Sequence, residues 1–328
     1  MRAVVADDHG GPEVLRVTER AVSEPGPTEV RIEVAYTSVN FADIEKRRGT
    51  YPNREAIHSP DPPYVPGMEA AGRVADAGSD TDYDPGDRVF VVVEPECYRE
   101  SITVPATRVH RVPDGVGLEV ASGTVQFLTA HNALFACGGL TAGETVLVHA
   151  GAGGVGTAAL QLTDSVDCTV YTTASTEEKR ELTRELGADR AVDYTTESIR
   201  QVAADELDGG FDLVLDGVGG KTFRRSVRTL ASGGRLVTYG LASGDVPSVA
   251  APRLLFDNRS VVGYHLEDAE TNLPQRVASA REAVLDGFAR DELELVTDRS
   301  FPLRRADDAH RHVEDRESVG KVLLEVGQ

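Results

Sequence analysis

Apolar and polar positions alternate early in the chain. Residues 1–6 and 30–36 are short valine-rich runs, and in the second Val30, Ile32 and Val34 alternate with Arg31 and Glu33. That period of two predicts a half-buried strand. Pro25-Gly26-Pro27 marks the turn before it. Residues 39–49 predict a short helix, with Arg47 and Arg48 near its end and Gly49 as its stop. Residues 50–66 are rich in proline and polar side chains and predict a long loop, a feature often tied to binding. Residues 67–77, 87–93 and 101–109 read as further strands, so the first 120 or so residues form a β domain.

Beyond residue 121 strand-like and helix-like runs alternate, which predicts a parallel sheet covered by helices. Residues 120–137 read as mostly helical. Strands are expected at 145–149, 168–172, 190–192, 211–216 and 233–240, with helices from 156, at 176–186 and at 222–230. The tail from 261 carries a short strand at 260–264. A helix follows with Val277, Ala280, Val284, Leu285 and Phe288 on one face, and then an apolar strand at 320–326. It is too short for a core of its own and is expected to complete the first domain. The predicted division is 1–122 with 261–328, and 123–260.

Between the strand at 145–149 and the helix that follows lie Gly151, Ala152, Gly153, Gly154, Val155 and Gly156, which fit G-x-G-x-x-G. A strand turning tightly into a helix N-terminus offers free N–H groups and a positive dipole end to a pyrophosphate. The pattern alone serves a simple turn equally well. The strand before it and the helix after it favour a bound dinucleotide.

Composition narrows the function. A length of 328 residues suits about two domains. No apolar run approaches the ~20 residues of a membrane span, and the N-terminus lacks the apolar stretch of a signal peptide. Cys97, Cys137 and Cys168 are too few and too scattered for a disulfide framework. A cytoplasmic protein is expected. With 34 basic and 54 acidic residues the net charge is −20, which argues against nucleic acid or an anionic membrane as partner. The acid is spread along the chain and lysine is scarce, as in proteins of salt-loving microbes, so unfolding midpoints are expected to rise in molar salt.

Several stretches in order resemble one family: Thr37-Ser38-Val39-Asn40 with Asp43, Arg48-Gly49-Thr50-Tyr51, Val65-Pro66-Gly67-Met68-Glu69-Ala70-Ala71-Gly72, and Pro85-Gly86-Asp87-Arg88-Val89. Leu128-Thr129-Ala130, the glycine loop, Leu186-Gly187-Ala188, Asp193-Tyr194, Asp216-Gly217-Val218-Gly219-Gly220, Gly233-Gly234-Arg235 and Gly320-Lys321-Val322 continue the match. The family is the medium-chain dehydrogenase/reductase superfamily, in its zinc-free, zeta-crystallin-like quinone oxidoreductase branch. The resemblance implies an α/β protein: a GroES-like β-barrel domain with an inserted Rossmann domain, a doubly wound parallel sheet, and an active site in the cleft. It also implies a homodimer joined near residues 260–264.

Zinc-dependent relatives carry cysteine where this chain has Asn40, and histidine where it has Met68 before Glu69. An amide and a thioether do not make a thiolate–imidazole zinc site, so no metal is expected. Glu69 is expected to be a structural ion-pair partner, and His310 and His312, among acids, to lie on a solvated face. The strand at 168–172 runs on to Thr173-Ala174-Ser175 without the acid that selects NAD. Ser175 and Lys179 are expected to take the 2′-phosphate of NADPH, the alternative for Lys179 being an exposed helix lysine paired with a neighbouring acid. Tyr194 is expected beside the adenosine half, and Thr129, Asn40, Gly217 and Gly240 complete the cofactor contacts that the resemblance implies. Tyr194 serves equally as packing, and Thr129 as a helix threonine bonded to its own backbone.

The family reaction is hydride transfer from nicotinamide C4 to a quinone or an activated enone. Asn40 and Tyr51 are the catalytic candidates, as neutral donors to the oxygen on which charge develops. Their alternatives are a turn asparagine and a packing tyrosine. Other readings are an enoyl-thioester or 2-alkenal reductase and a non-catalytic dinucleotide-binding structural protein. Gln126 departs from the family, standing where many relatives carry proline.

Overall fold

The computed structural model describes residues 1–51, 59–93 and 96–327. The middle of the expected 50–66 loop therefore lies outside the described residues. The chain divides into two compact units, residues 1–125 with 285–328, and residues 126–284.

In the first unit β1 (Arg2–Ala6) pairs with β2 (Leu15–Glu19). The main sheet is built on β3 (Glu29–Val39), with β4 (Glu69–Ala77), β5 (Arg88–Val92), β6 (Ser101–Pro105) and β7 (Val109–Arg111). β3 is long enough to take β6 along its first half, while β4 runs down its other side. Its register with β4 shifts at Arg31/Ile32 and at Val34/Tyr36. Such bulges bend and twist a strand, as the curved wall of a GroES-like domain requires. Val30, Ile32 and Val34 are buried, as their alternation predicts.

The second unit holds β8 (Thr145–Val148), β9 (Thr169–Ala174), β10 (Arg190–Asp193), β11 (Phe211–Asp216), β12 (Leu230–Thr238) and β13 (Ser260–Gly263). They form one sheet in the order β10-β9-β8-β11-β12-β13, every pair parallel. Two runs diverge from β8, so the order reverses between β8 and β11. A crevice at the carboxyl ends of the strands on either side of such a reversal is where open α/β sheets bind ligands. Leu147, Val192, Phe211, Val214 and Leu236 form the core under the sheet.

Two strands after residue 284 return to the first unit. β14 (Thr297–Pro302) pairs with β15 (Lys321–Glu325), and β15 pairs antiparallel with the second half of β3.

The domain limits differ from the expected 122/123 and 260/261. β13 belongs to the parallel sheet, Ser260 lying opposite Arg235. The second crossing falls inside the helix Pro274–Ala289, and the first inside the helix Thr124–His131. The expected helix at 120–137 is resolved into Leu118–Ala121, Thr124–His131 and a wider π-helical turn at Asn132–Cys137.

Candidate functional site

The glycine loop follows β8 directly. Ala150 has a positive φ of 53° and turns the chain toward the helix Gly154–Thr163. None of the loop glycines has positive φ, so they are there for room. A Cβ on Gly151 would lie 1.8 Å from Thr172 Oγ1, and one on Gly156 would lie 2.3 Å from the Ala150 carbonyl oxygen. These two let strand, turn and helix pack. A Cβ on Gly153 would meet only the Ala150 oxygen, at 3.3 Å. The middle glycine therefore leaves an open approach to the helix N-terminus, the cradle an anion needs. Ala152 is buried and Val155 half-buried between them.

The loop is anchored on β9. Ala150 N–H donates to Thr173 Oγ1 at 3.1 Å and Gly151 N–H to the Thr173 carbonyl at 3.0 Å. His149, wholly enclosed, contacts Ser226 Oγ at 2.7 Å through Nε2 and Thr173 Oγ1 at 3.2 Å through Nδ1. Ser226 already donates to the Thr222 carbonyl. It therefore accepts from His149 Nε2–H, and Nδ1 accepts from Thr173. Burial lowers the pKa of His149, which favours this neutral form.

At the far end of β9, Ser175 is half-buried and Thr176 caps the helix Glu177–Glu185, its hydroxyl accepting from Lys179 N–H at 3.3 Å. Arg180, the other local cation, is held by Glu177 at 2.7 Å and Asp193 at 3.0 Å. Asp193 lies opposite Ala174. Ser175 and Tyr194 thus each follow by one residue at neighbouring strand ends, and Tyr194 is 48% exposed. Gly217 and Gly240 follow β11 and β12. A Cβ on Gly240 would come 2.9 Å from the Gly217 oxygen, and one on Gly217 would strike the Tyr239 ring at 2.6 Å. The two chain segments pass too close for side chains. Thr129 is buried in its helix.

In the first unit the structure surrounds Asn40 with charge. Asn40 precedes the helix Phe41–Arg48, and its backbone N–H donates to the Asp43 carboxylate at 2.9 Å, one arm of a capping box. Its side-chain Nδ2 donates to Glu69 Oε1 at 2.9 Å, and its Oδ1 accepts from Lys321 Nζ at 2.5 Å. Lysine only donates and an ionised carboxylate only accepts, so the two together fix which way the amide faces. Glu69 is the ion-pair partner expected. Lys321 Nζ stands 2.8 Å from it, Ser38 Oγ donates to it at 2.7 Å, and Val125 N–H at 2.8 Å, all in a buried setting. Sequence reasoning gave Lys321 no role. The one available sign was a lysine, one of four in the chain, heading the apolar run of β15.

The Lys46 ammonium lies 4.9 Å from the ring centroid of Tyr51, the other catalytic candidate. Beneath Asn40, Tyr98 donates to Asp43 at 3.2 Å and meets His310 Nε2 at 3.1 Å. Burial pushes Asp43 up to about 6, against the pull of its hydrogen bond with Asn40 and of Lys46 and Lys321. His310 and His312 are both buried, which corrects the solvated face expected for them. They stand two positions apart in the helix Ala306–Glu314 and so on different faces of it, and His312 contacts Glu317 and Asp298. Tyr264 is buried, and His265 caps the helix Leu266–Asn272.

A parallel sheet that reverses at β8/β11, with a glycine loop opening onto a helix at that point, defines a dinucleotide-binding fold of the Rossmann type. Residues 26–131 match the alcohol dehydrogenase GroES-like domain family, and residues 154–281 the zinc-binding dehydrogenase family. The synaptic vesicle membrane protein VAT-1 homolog of Rattus norvegicus is 33% identical, covering 100% of this chain and 84% of that protein. A probable quinone oxidoreductase of Schizosaccharomyces pombe is 33% identical, over 96% of this chain and 94% of that one. Among solved structures, a mycobacterial protein complexed with NADPH has 34% identity and a TM-score of 0.89, over 99% of both chains. The Escherichia coli quinone oxidoreductase complexed with NADPH has 26% identity and a TM-score of 0.90, over 99% of this chain and 100% of that one. The chain belongs to the medium-chain dehydrogenase/reductase superfamily, among its quinone-oxidoreductase-like members. Among the described residues no group of three or more His, Cys, Asp or Glu side chains is placed to hold a metal ion, and no helix is long and apolar enough to cross a membrane.

Proposed function

We propose that the protein is an NADPH-dependent oxidoreductase that reduces a quinone or an activated enone. The observation that carries this is the glycine loop at the sheet's reversal, together with a second strand that ends in hydroxyls and lacks an acid. Gly151, Ala152, Gly153, Gly154, Val155 and Gly156 would hold the diphosphate. Ser175 and Lys179 would hold the 2′-phosphate and Tyr194 the adenosine side, with Thr129, Gly217 and Gly240 bordering the nicotinamide half. When bound, the cofactor supplies the hydride. A quinone then takes one hydride and one proton to become the hydroquinone, or an enone the same pair to become the saturated ketone.

The chain's own contribution is to place the acceptor and to stabilise its oxygen as charge develops. An amide nitrogen carries two hydrogens. Glu69 takes one from Asn40, and the other is the donor offered to the acceptor oxygen. Because Lys321 and Glu69 hold the amide in one orientation, no reorganisation is needed when the charge appears. Tyr51 is the second donor proposed.

Two experiments test the reading. NADPH oxidation is followed with a simple quinone, a 2-alkenal and an enoyl-CoA. Turnover of the quinone, with the 2-alkenal and enoyl-CoA poor, supports it; a preference for the 2-alkenal or enoyl-CoA, or no turnover of any, overturns it. Lys179→Ala is then compared with wild type for NADPH and NADH. A loss of about tenfold in preference for NADPH is expected, and an unchanged preference removes Lys179 from the site.

A homodimer through β13 completes the proposal. β13 ends the parallel sheet, and nearby Leu255 and Phe256 are 69% and 79% exposed. Single-sided apolar exposure beside a sheet edge suits a second copy of the chain. Light scattering at the monomer mass argues against it. The diffuse acid is read as a salt adaptation, and an unfolding midpoint that does not rise between low and molar salt overturns that.

A further inference from the structure

Gln126 is the third residue of the helix Thr124–His131 and is 1% exposed. Among the described residues neither its Nε2 nor its Oε1 has a hydrogen-bond partner, and it is the side chain there left with both polar atoms buried and unpaired. Buried amides are almost always satisfied, because leaving one unpaired forfeits its hydration for nothing. The place where this one is stranded is specific. A Cβ on Gly154 would lie 2.4 Å from Gln126 Oε1. The amide therefore lies against the first residue of the helix Gly154–Thr163, at the end where that helix presents unpaired N–H groups. This also explains Gly154, which is not one of the three motif glycines. Any side chain there would strike the amide.

Resting on the dinucleotide reading above, we infer that Gln126 is a cofactor-binding residue. Its Nε2–H donates to a diphosphate oxygen, and its Oε1 accepts from a hydroxyl of the adjoining ribose. The helix N-terminus offers only donors. Gln126 adds an acceptor, so the pair can bind phosphate and sugar together.

The test uses Gln126→Met, which keeps length and volume and removes both polar atoms. NADPH binding is measured by nicotinamide fluorescence, and the melting temperature is taken with and without NADPH. The variant is expected to bind NADPH about tenfold more weakly. Its ligand-free melting temperature is expected to be equal to or above that of wild type, since a stranded amide has been removed. Gly154→Ala, which displaces the amide without deleting it, is expected to weaken NADPH in the same direction. NADPH affinity of both variants within twofold of wild type overturns the inference and marks the amide as merely buried. Wild type that shows neither fluorescence change nor thermal shift with NADPH overturns the cofactor reading itself, and this inference with it.

Discussion

In the first unit Glu69 and Lys321 are buried as an ion pair with Ser38 and the half-buried Asn40 as its partners, and only one Asn40 amide hydrogen is left over. In the parallel-sheet unit Gln126 is equally buried, with both ends of its amide open. Both groups were taken out of water, and both cost the fold something. In the first case the partners are internal, so the return is geometric: one fixed orientation of the Asn40 amide. In the second the fold provides no partner, so the return must come from outside. Buried polar groups that are satisfied specify structure, and those left unsatisfied beside an anion cradle point to a ligand.

The comparison can be broken most sharply at Lys321. Lys321→Met leaves Glu69 charged, buried and without its counter-charge, and is expected to cost about 3–5 kcal/mol in denaturant unfolding. The double variant Lys321→Met/Glu69→Gln removes both charges and is expected to recover most of that loss. It also frees the Asn40 amide to face either way, so its kcat is expected to stay low although most of its stability returns. A single variant as stable as wild type means the ion pair is not buried.

The glycine loop allows a second division of the same kind. Gly151→Ala forces Cβ into Thr172 and is expected to cost about 1–3 kcal/mol of ligand-free stability. Gly153→Ala meets only one oxygen, and only at the edge of contact. It is expected to leave that stability within about 0.5 kcal/mol of wild type while weakening NADPH. Equal stability losses in the two variants would mean that the middle glycine is structural too.

The smallest effect concerns pH. Asp43 is raised by burial from 3.8 to about 6, with Lys46, Lys321 and Glu69 facing it. Between those values the folded protein holds a proton that the unfolded chain has released. The contribution to stability is therefore full below pH 4 and is lost as pH rises through 6. Asp43→Asn cannot titrate, so its destabilisation relative to wild type is expected to be larger at pH 5 than at pH 7.5 by about 1 kcal/mol. No difference between the two pH values would show that Asp43 stays ionised throughout.

How much of this was legible in the sequence depended on whether the cause was local. The glycine loop, the alternation of Val30, Ile32 and Val34, and the lack of an acid after β9 are all written within a few residues. Glu69 could be suspected as an ion-pair partner, but not with whom, because Lys321 lies far along the chain and only strand pairing brings it in. The unit limits were misplaced because a helical periodicity reveals an apolar face and not which core that face joins. Both crossings fall within continuous helices. His310 and His312 looked solvated because acids flank them in sequence, yet on a helix neighbours in sequence point to different sides. Gln126 was visible as a departure from the family, and its meaning was not. Burial and the absence of a partner are properties of the assembled structure.

β15 has a consequence for the order in which the protein is made. The parallel-sheet unit is contiguous from 126 to 284 and can assemble as soon as it leaves the ribosome. The first unit cannot. One stretch of β3 stays unpaired, and Glu69 stays without its cation, until residues 321–325 have been synthesised. The amino-terminal part, translated first, is predicted to finish folding last, held in an incomplete state that exposes a strand edge and is open to aggregation. Stalled chains ending near residue 300 should then show protease protection over 126–284 and not over the first hundred residues. Protection of both would mean that the early strands close without their final partner.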